Sequence, residues 1–488
     1  MQCSIVKRRM EMFYSDKTRV VARPFFPSSQ ARLVRISQRV MALSDAENDR
    51  VFGEVMYRFQ DRHRDIQSIF LTHYETLLRK LPEGNLLLEQ AAGLDLKRKL
   101  LLGSYFTSEY SIEAAAFFNP SIVAHPDQSG LAEGSTRIIL SFRATGEGHV
   151  SSIVFRTGVI DRDQEFSFDP VSPFVETAEV EENPTYGKHC FVLKLDDMGF
   201  RNFVSETILS GLGERFTLEQ LNEQIGRFGS KYPSHHRNET VESIQWIAHS
   251  NYQVHFRADG DLSECVIFPV SKNESNGLED ARFVRFVDED GSVTYYATYT
   301  AYNGFAILPQ ILATKDFRTF NIVTLNGTAR NKGMALFPRR INGEYMMISR
   351  QDGENMYLMT SENLHFWNAE APLRQPKETW EFVKMGNCGS PIETPAGWLV
   401  LTHGVGPVRQ YCIGAILLDL KDPARVIGHM KEPLLVPNEQ ERDGYVPNVV
   451  YSCGAMLHHE ELILPYAMSD SVSGIATIAL ADLLKRLT

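Results

Sequence analysis

Residues 276–302 read NGLEDARFVRFVDEDGSVTYYATYTAY, and this stretch holds two short strands and the best chemical lead in the chain. Phe283 to Val287 is an apolar run, Val293 to Tyr302 is rich in Thr and Tyr, and Asp-Glu-Asp-Gly-Ser between them is turn chemistry. Ahead of the first run, a Gly-led turn delivers two adjacent acids, Glu279 and Asp280, together with Arg282. Turns at strand ends are where scaffolds place catalytic groups. An acid beside a cation or an apolar wall is open to tuning for proton transfer. The plain alternative is that both acids cap a solvated β-turn.

The same texture runs outward from this stretch. After Pro120, runs such as RIILSFRAT, VSSIVFRTGVI, YQVHFRADG, GWLVLTHGV and YCIGAILLDL alternate with Gly, Asp and Asn. Ile341-Asn342-Gly343-Glu344 is a hairpin signal, because Asn-Gly accepts the positive φ of a two-residue turn. Roughly every 50 to 65 residues an Asn/Gly/Pro-rich segment precedes two or more strands, as in NGLEDARF, NKGMALFP, GNCGSPIE and YVPNVVYSCG. Many short strands in units of this size predict a mainly β protein, a β-propeller whose inner strands converge on one polar pocket. A large β-sandwich is the alternative, disfavoured because the unit recurs too often.

Helical spacing is confined to two places. From Ser44 to Leu81 apolar residues recur at helical intervals, with Ser44 and Asp45 as cap candidates and Pro82 as the stop. A second helix is expected over roughly Leu86 to Leu102 and a third near Ser108 to Phe118, after an arm of about thirty residues without pattern. Residues 1–115 therefore read as an arm and α-helical region, and 116–488 as the β domain. Within the latter, a helical insertion is expected at 198–230, where the spacer Gly213-Glu214-Arg215 and Thr217 before LEQLNEQI suggest two helices.

Bulk properties bound the function. The 488 residues suffice for a large core, and 43% hydrophobic with 23% charged is ordinary for a soluble globular protein. A net charge of −11 argues against a nucleic-acid surface. No run approaches the roughly 18 apolar residues of a membrane span, so no membrane partner is expected. The N-terminal MQCSIVKRRMEMFYSDK lacks an apolar signal core, which argues against export and for a cytoplasmic protein. Cys3, Cys190, Cys265, Cys388, Cys412 and Cys453 are scattered without a Cys-x-x-Cys pair, so neither a disulfide framework nor a metal site is expected. No phosphate-binding loop of the G-x-x-x-x-G-K-[ST] kind appears either.

The polar lead-in segments resemble glycoside hydrolase family 130, the mannoside phosphorylases and related mannosidases built on a five-bladed β-propeller. Glu279-Asp280-Ala281-Arg282 resembles the family's acid motif, in which Pro often stands where this chain has Ala281. NKGMALFP (331–338), LTHGVG (401–406) and YCIGA (411–415) resemble further family segments, and the likeness covers about 115 to 485. The N-terminal helical region and the insertion lie outside it.

The resemblance implies a general acid at Asp280, with Glu279 beside it as a sugar ligand or electrostatic modulator. It implies that the proton reaches the glycosidic oxygen through a hydroxyl of the mannosyl residue. Asn119 and Arg143 match contacts to the mannosyl ring, and Asn448 is a further pocket candidate. Arg350, His403 and Tyr411 match positions that hold phosphate, with Arg330, Asn331 or Lys332 supplying another contact. Arg can bind phosphate bidentately, and His or Tyr can donate to a remaining oxygen. Each has an ordinary alternative: a strand-end His403, Arg350 paired with Asp352 or Glu354, an exposed Lys332, Tyr411 as strand filler, and Asn119 as a turn residue before Pro120.

An inverting hydrolase commonly needs a second carboxylate to activate water. Phosphate is already an anionic nucleophile, so cations take that carboxylate's place in a phosphorylase. The basic set here therefore favours an inverting β-mannoside phosphorylase, on β-1,2-linked manno-oligosaccharides, that uses inorganic phosphate as co-substrate and no other cofactor. A β-mannosidase and a non-catalytic glycan-binding propeller are the competing readings. An acid that acts protonated is expected to have a raised pKa, which the negative charge of a nearby phosphate favours. The N-terminal helices are candidates to cover the pocket rim or to build a homo-oligomer interface.

Overall fold

The two strands expected after Asn276 are present, but the first begins earlier and takes in the acids. In the computed structural model, which describes residues 5–181, 184–232, 239–304, 307–368 and 371–487, the strand Gly277–Val287 pairs antiparallel with Val293–Tyr302. Ile307–Thr314 and Thr319–Thr324 complete this meander. Glu279 and Asp280 thus lie inside a strand, at a register shift between Glu279 and Arg282, and not in a turn before it. Two residues facing one partner form a β-bulge, which re-aims side chains without ending the ladder.

The chain divides into two compact units: Met1–Ser15, Ala115–Pro170 and Thr177–Thr488 form the first, and Asp16–Ala114 with Val171–Glu176 the second. The first is mainly β with helices. A meander of Ala116–Ala124, Thr136–Thr145 and Ser151–Ile160 joins the acid-bearing meander through one parallel pair, Gly277 with Ser151. Gly277 has φ +121°, and a Cβ there would stand 2.4 Å from the Ser151 nitrogen, so only glycine admits this approach. Three more sheets follow in chain order. They are built on Tyr345–Ser349 with Met356–Ser361, on Gly397–Val405 with Tyr411–Leu418, and on Glu461–Met468 with Val472–Ala479. At the Asn342-Gly343 hairpin, φ is +55° and +84° and Ile341 bridges Glu344, as the turn chemistry requires.

Successive sheets share cores. Val284 and Phe286 pack with Leu336, Met347 and Met359, and Ile348 packs with Trp398 and Val400. Leu399 and Leu401 pack with Leu462 and Leu464, and Ala467 of the last sheet meets Ala116 and Phe118 of the first. All nine residues of Gly397–Val405 are buried, which explains why that strand reads as a continuous apolar run and not as an alternation. The expected N-terminal arm is partly structured: Val6–Phe13 pairs antiparallel with Val472–Ala479.

The insertion is larger than the sequence suggested. Lys188–Asp197, Phe203–Ser210, Leu218–Lys231 and Glu239–Ser250 are all helical and close on one core that includes Phe191, Ile208, Leu221 and Ile244. Thr217 caps the third through a capping box with Gln220.

In the second unit the single long helix expected from Ser44 is two. Asp45–Phe59 starts on a Ser44–Glu47 capping box, and Ile66–Lys80 restarts on Asp65, which accepts from the Ser68 N–H at 3.0 Å. Arg62 and His63, in the break, bind Glu109 at 2.7 and 2.9 Å. The third expected helix is absent, its residues lying in the strands Thr107–Ser111 and Ala116–Ala124. Of the six cysteines, Cys3 lies outside the described residues and the other five are free thiols. Among the described residues no helix is long and apolar enough to cross a membrane.

Candidate active site

Two bulges face each other across the first unit. Asn119 lies at a register shift between Phe118 and Ser121 with φ +51°, and Asp280 at its own shift with φ +57°. Both are in the left-handed region, which Asn and Asp tolerate better than other side chains. The Asn119 amide donates to Asp280 Oδ1 at 2.7 Å. Arg143, in the strand Thr136–Thr145, spans the acids: Nη2 donates to Glu279 Oε1 at 2.8 Å and Nη1 to Asp280 Oδ1 at 3.4 Å. Its Nε donates to Ser151 Oγ at 2.9 Å, so the Gly277–Ser151 approach also orients the arginine. The structure thus brings Asn119, Arg143, Glu279 and Asp280 together as the sequence anticipated.

Lys332, expected among the phosphate contacts, instead bonds Glu279 Oε2 at 2.5 Å. Glu279 is 7% exposed and each of its oxygens accepts from a cation, which commits the carboxylate to Arg143 and Lys332. The expected raised pKa of Asp280 is also corrected. Burial pushes its carboxyl up, but Arg143, Arg282, the Asn119 hydrogen bond and Lys332 outweigh it and hold the group below the usual carboxylate range. Both described contacts to the Asp280 carboxylate fall on Oδ1, leaving Oδ2 as the oxygen able to carry a proton.

A third carboxyl was missed by sequence reasoning. Asp470 sits in the tight turn between Glu461–Met468 and Val472–Ala479, with φ +52°. Burial, then the charge of Asp280, pushes it up to about 7 against the pull of Arg143 and Arg409. Two nearby acids displaced in opposite directions are a signature of acid–base sites. The Ser-Asp-Ser turn is visible in the sequence, but nothing local separates it from any surface turn.

The other expected cations gather elsewhere. Arg350 follows the strand Tyr345–Ser349, and its Nη1 donates to His403 Nε2 at 3.2 Å. It does not pair with Asp352, which instead accepts from the backbone of Glu354 and Asn355. His403, 2% exposed, donates from Nδ1 to the Asn387 carbonyl at 3.1 Å. Burial, then Arg350 and Arg282, hold its pKa well below the ordinary value, so the ring is neutral. With Nδ1 donating and Nε2 accepting, His403 orients Arg350 and has no N–H left for an anion. That revises the donor role expected of it.

Tyr411 stacks near the His403 ring, with centroids 6.0 Å apart and planes at 13°. Its backbone N–H donates to the Asn448 carbonyl at 3.0 Å, and this peptide contact is how Asn448 joins the site. Lys384, which sequence reasoning missed, lies over the Tyr411 ring at 5.3 Å. Asn331 uses its side-chain oxygen to accept from the Lys332 N–H at 2.9 Å. Arg330 is exposed, its backbone N–H donates to Gln351 Oε1, and its charge is felt at Lys194; no described contact ties it to Arg350 or His403.

The site thus consists of a buried Glu279 and a half-buried Asp280 beside a separate cationic cluster. Residues 219–488 match the family profile of glycoside hydrolase family 130, described as β-1,4-mannooligosaccharide phosphorylase, and the chain belongs to that family. It is 35% identical over 230 residues to the 1,2-β-oligomannan phosphorylase of Thermoanaerobacter sp. (strain X514), covering 44% of this chain and 74% of that protein. It is 30% identical over 254 residues to the β-1,2-mannobiose phosphorylase of Listeria innocua, covering 49% and 68%. The solved structure of that Listeria enzyme with β-1,2-mannobiose aligns over 77% of this chain and 92% of its own, at 22% identity and a TM-score of 0.45.

Proposed function

We propose that this protein is an inverting β-mannoside phosphorylase that cleaves β-1,2-linked manno-oligosaccharides with inorganic phosphate, releasing α-mannose 1-phosphate and a shortened acceptor. The supporting observation is the division of charge. Among the described residues, every carboxylate bonded in the site lies with Asn119, Arg143 and Lys332, and none is bonded to Arg350, His403, Tyr411 or Lys384. The names of the Thermoanaerobacter and Listeria relatives, both phosphorylases of β-1,2-linked mannosides, agree with it.

Asp280 is the general acid, its Oδ2 carrying the proton that passes to the glycosidic oxygen through a mannosyl hydroxyl. Asn119, Arg143, Glu279 and Lys332 hold the sugar of the cleaved residue, with Asn448 on the far wall. Arg350, oriented by His403, presents its remaining N–H groups to phosphate, and Tyr411, Lys384 and the 330–331 segment add donors. A phosphate dianion among these cations raises the pKa of Asp280 by adding negative charge nearby, which moves the acid toward its working protonation state. Attack on the anomeric carbon from the phosphate side inverts its configuration. Phosphate is the one co-substrate, and no cofactor enters the reaction.

The sheets of the first unit are arranged as a five-bladed propeller, supported by the five antiparallel groups, their shared consecutive cores and the meeting of Ala467 with Ala116 and Phe118. Self-association through the N-terminal helices is supported by exposed Tyr57, Leu86 and Leu96 and is read by light scattering. The deciding experiment incubates the protein with β-1,2-mannobiose, with and without phosphate. Mannose 1-phosphate formed only with phosphate is the expected result. Free mannose released without phosphate makes the protein a β-mannosidase, and no product on any linkage makes it a glycan-binding module.

A further inference from the structure

Two groups between the acid and the cationic cluster, Arg282 buried and Tyr451 half-buried, have no part in the chemistry so far. Arg282, 2% exposed, stands just past the bulge that carries Asp280. Its Nη1 donates to the main-chain carbonyl of Asp280 at 3.2 Å, and its Nη2 donates to the Tyr451 hydroxyl at 2.6 Å. Its Nε is buried without a partner. Tyr451, in the strand Val450–Tyr451, sets its ring edge-on to His403, with centroids 5.0 Å apart and planes at 64°. His403 in turn takes the bond from Arg350. One unbroken path of contacts therefore runs from the acid's backbone through Arg282, Tyr451 and His403 to Arg350.

The composition of this path is not what packing alone demands. Burying a guanidinium is costly unless it is paired, yet among the described residues Arg282 has no carboxylate within bonding distance. A phenylalanine at 451 would offer His403 the same ring edge; the hydroxyl serves Arg282. What Arg282 holds is the peptide of a non-glycine residue at positive φ, a strained conformation that persists only where its surroundings over-determine it.

We infer that Arg282, clamped by Tyr451, is a positioning residue that fixes the backbone of Asp280 and couples the acid to the phosphate-side pair His403–Arg350. The inference rests on the phosphorylase reading for its kinetic readout. When Tyr451 loses its hydroxyl, Arg282 keeps its charge but loses the anchor on Nη2, and the ring at 451 keeps its edge toward His403 but loses its tie to Arg282, so the acid's placement and its coupling to the phosphate side both loosen.

The test uses the full chain with Tyr451→Phe and, separately, Arg282→Lys, which keeps a cation without the fork. On β-1,2-mannobiose, Tyr451→Phe is expected to lower kcat about 10-fold and raise the phosphate KM about 3-fold, with the mannobiose KM within about 2-fold. On 2,4-dinitrophenyl β-mannoside, whose leaving group departs without a proton, the kcat deficit should largely vanish, because the defect acts through the acid. Arg282→Lys should show the same substrate dependence with a larger loss. Equal losses on both substrates would mean a general packing role and overturn the inference, as would a Tyr451→Phe enzyme indistinguishable from the parent. If the parent chain itself makes no mannose 1-phosphate, the phosphorylase reading falls and this inference falls with it. A working parent beside an unchanged variant removes the inference alone.

Discussion

The two sides of the site solve opposite electrostatic problems. Around Asp280, carboxylates and cations are nearly saturated with one another: Asn119, Arg143 and Lys332 all spend donors on Glu279 or Asp280. Around Arg350, among the described residues, the cations have no carboxylate partner, and the neighbour that Arg350 does bond, His403, is neutral and accepts. A saturated cluster is rigid and suits a neutral sugar, whose hydroxyls exchange into existing hydrogen bonds. An unsaturated cationic cluster is poised for an anion, because bringing one in relieves repulsion that the fold has already built up. Both sides are carried on the strands and adjoining turns of one unit, so the contrast comes from side chains and not from different scaffolds.

The comparison breaks most visibly at Asp280. Asp280→Asn keeps the oxygen that accepts from Asn119, so folding should hold while mannose 1-phosphate release falls by about 10³-fold; substantial residual turnover would remove the acid from this side. Next is Arg350→Ala, expected to raise the phosphate KM by about 10- to 100-fold, the loss typical of charge-assisted hydrogen bonds, with a far smaller change for the mannoside. Lys332→Met sharpens the border between the two sides. Since Lys332 bonds Glu279, the mannoside KM should rise by about 10-fold and the phosphate KM by no more than about 2-fold. The reverse split would return Lys332 to the phosphate side.

The smallest effect is on stability and belongs to Asp470. With a folded pKa of about 7, above the ordinary carboxylate value, the folded protein keeps a proton that the unfolded chain has lost over roughly pH 4 to 7. Stability contributed by this group is therefore present at low pH and declines as pH rises through that window. Asp470→Asn should raise the melting temperature by about 2–4 °C at pH 8 and leave it unchanged near pH 4. A gain that persists at pH 4 would mean that the asparagine acts by packing instead of by charge.

Much of this was legible locally. Strand texture, the Asn-Gly hairpin and the Thr217 cap depend on near neighbours in sequence, and all three are in the structure. The helix breaks before Ile66 and Leu96 were missed, although Asp65 and Asp95 are good caps, because the apolar spacing carries on through them. The strand Thr107–Ser111 was read as helix because its partner, Val20–Pro24, is far away in sequence. Lys384 and Asp470 went unnoticed for a related reason: an isolated Lys in a strand and an Asp in a Ser-Asp-Ser turn acquire meaning only from what faces them.

For Glu279 and Asp280, the sequence by itself determined that two acids and an arginine would stand beside a strand in a family of mannoside enzymes. Only the tertiary structure decided their division of labour. It set both bulges at positive φ, brought Arg143 and Lys332 onto Glu279, left Oδ2 of Asp280 free, and turned His403 from a donor into the acceptor that aims Arg350. Residue type and local spacing fix which groups can ionise or hydrogen-bond. Which proton each one keeps depends on burial and on charges tens to hundreds of residues away, and those distances are set only when the strands pair.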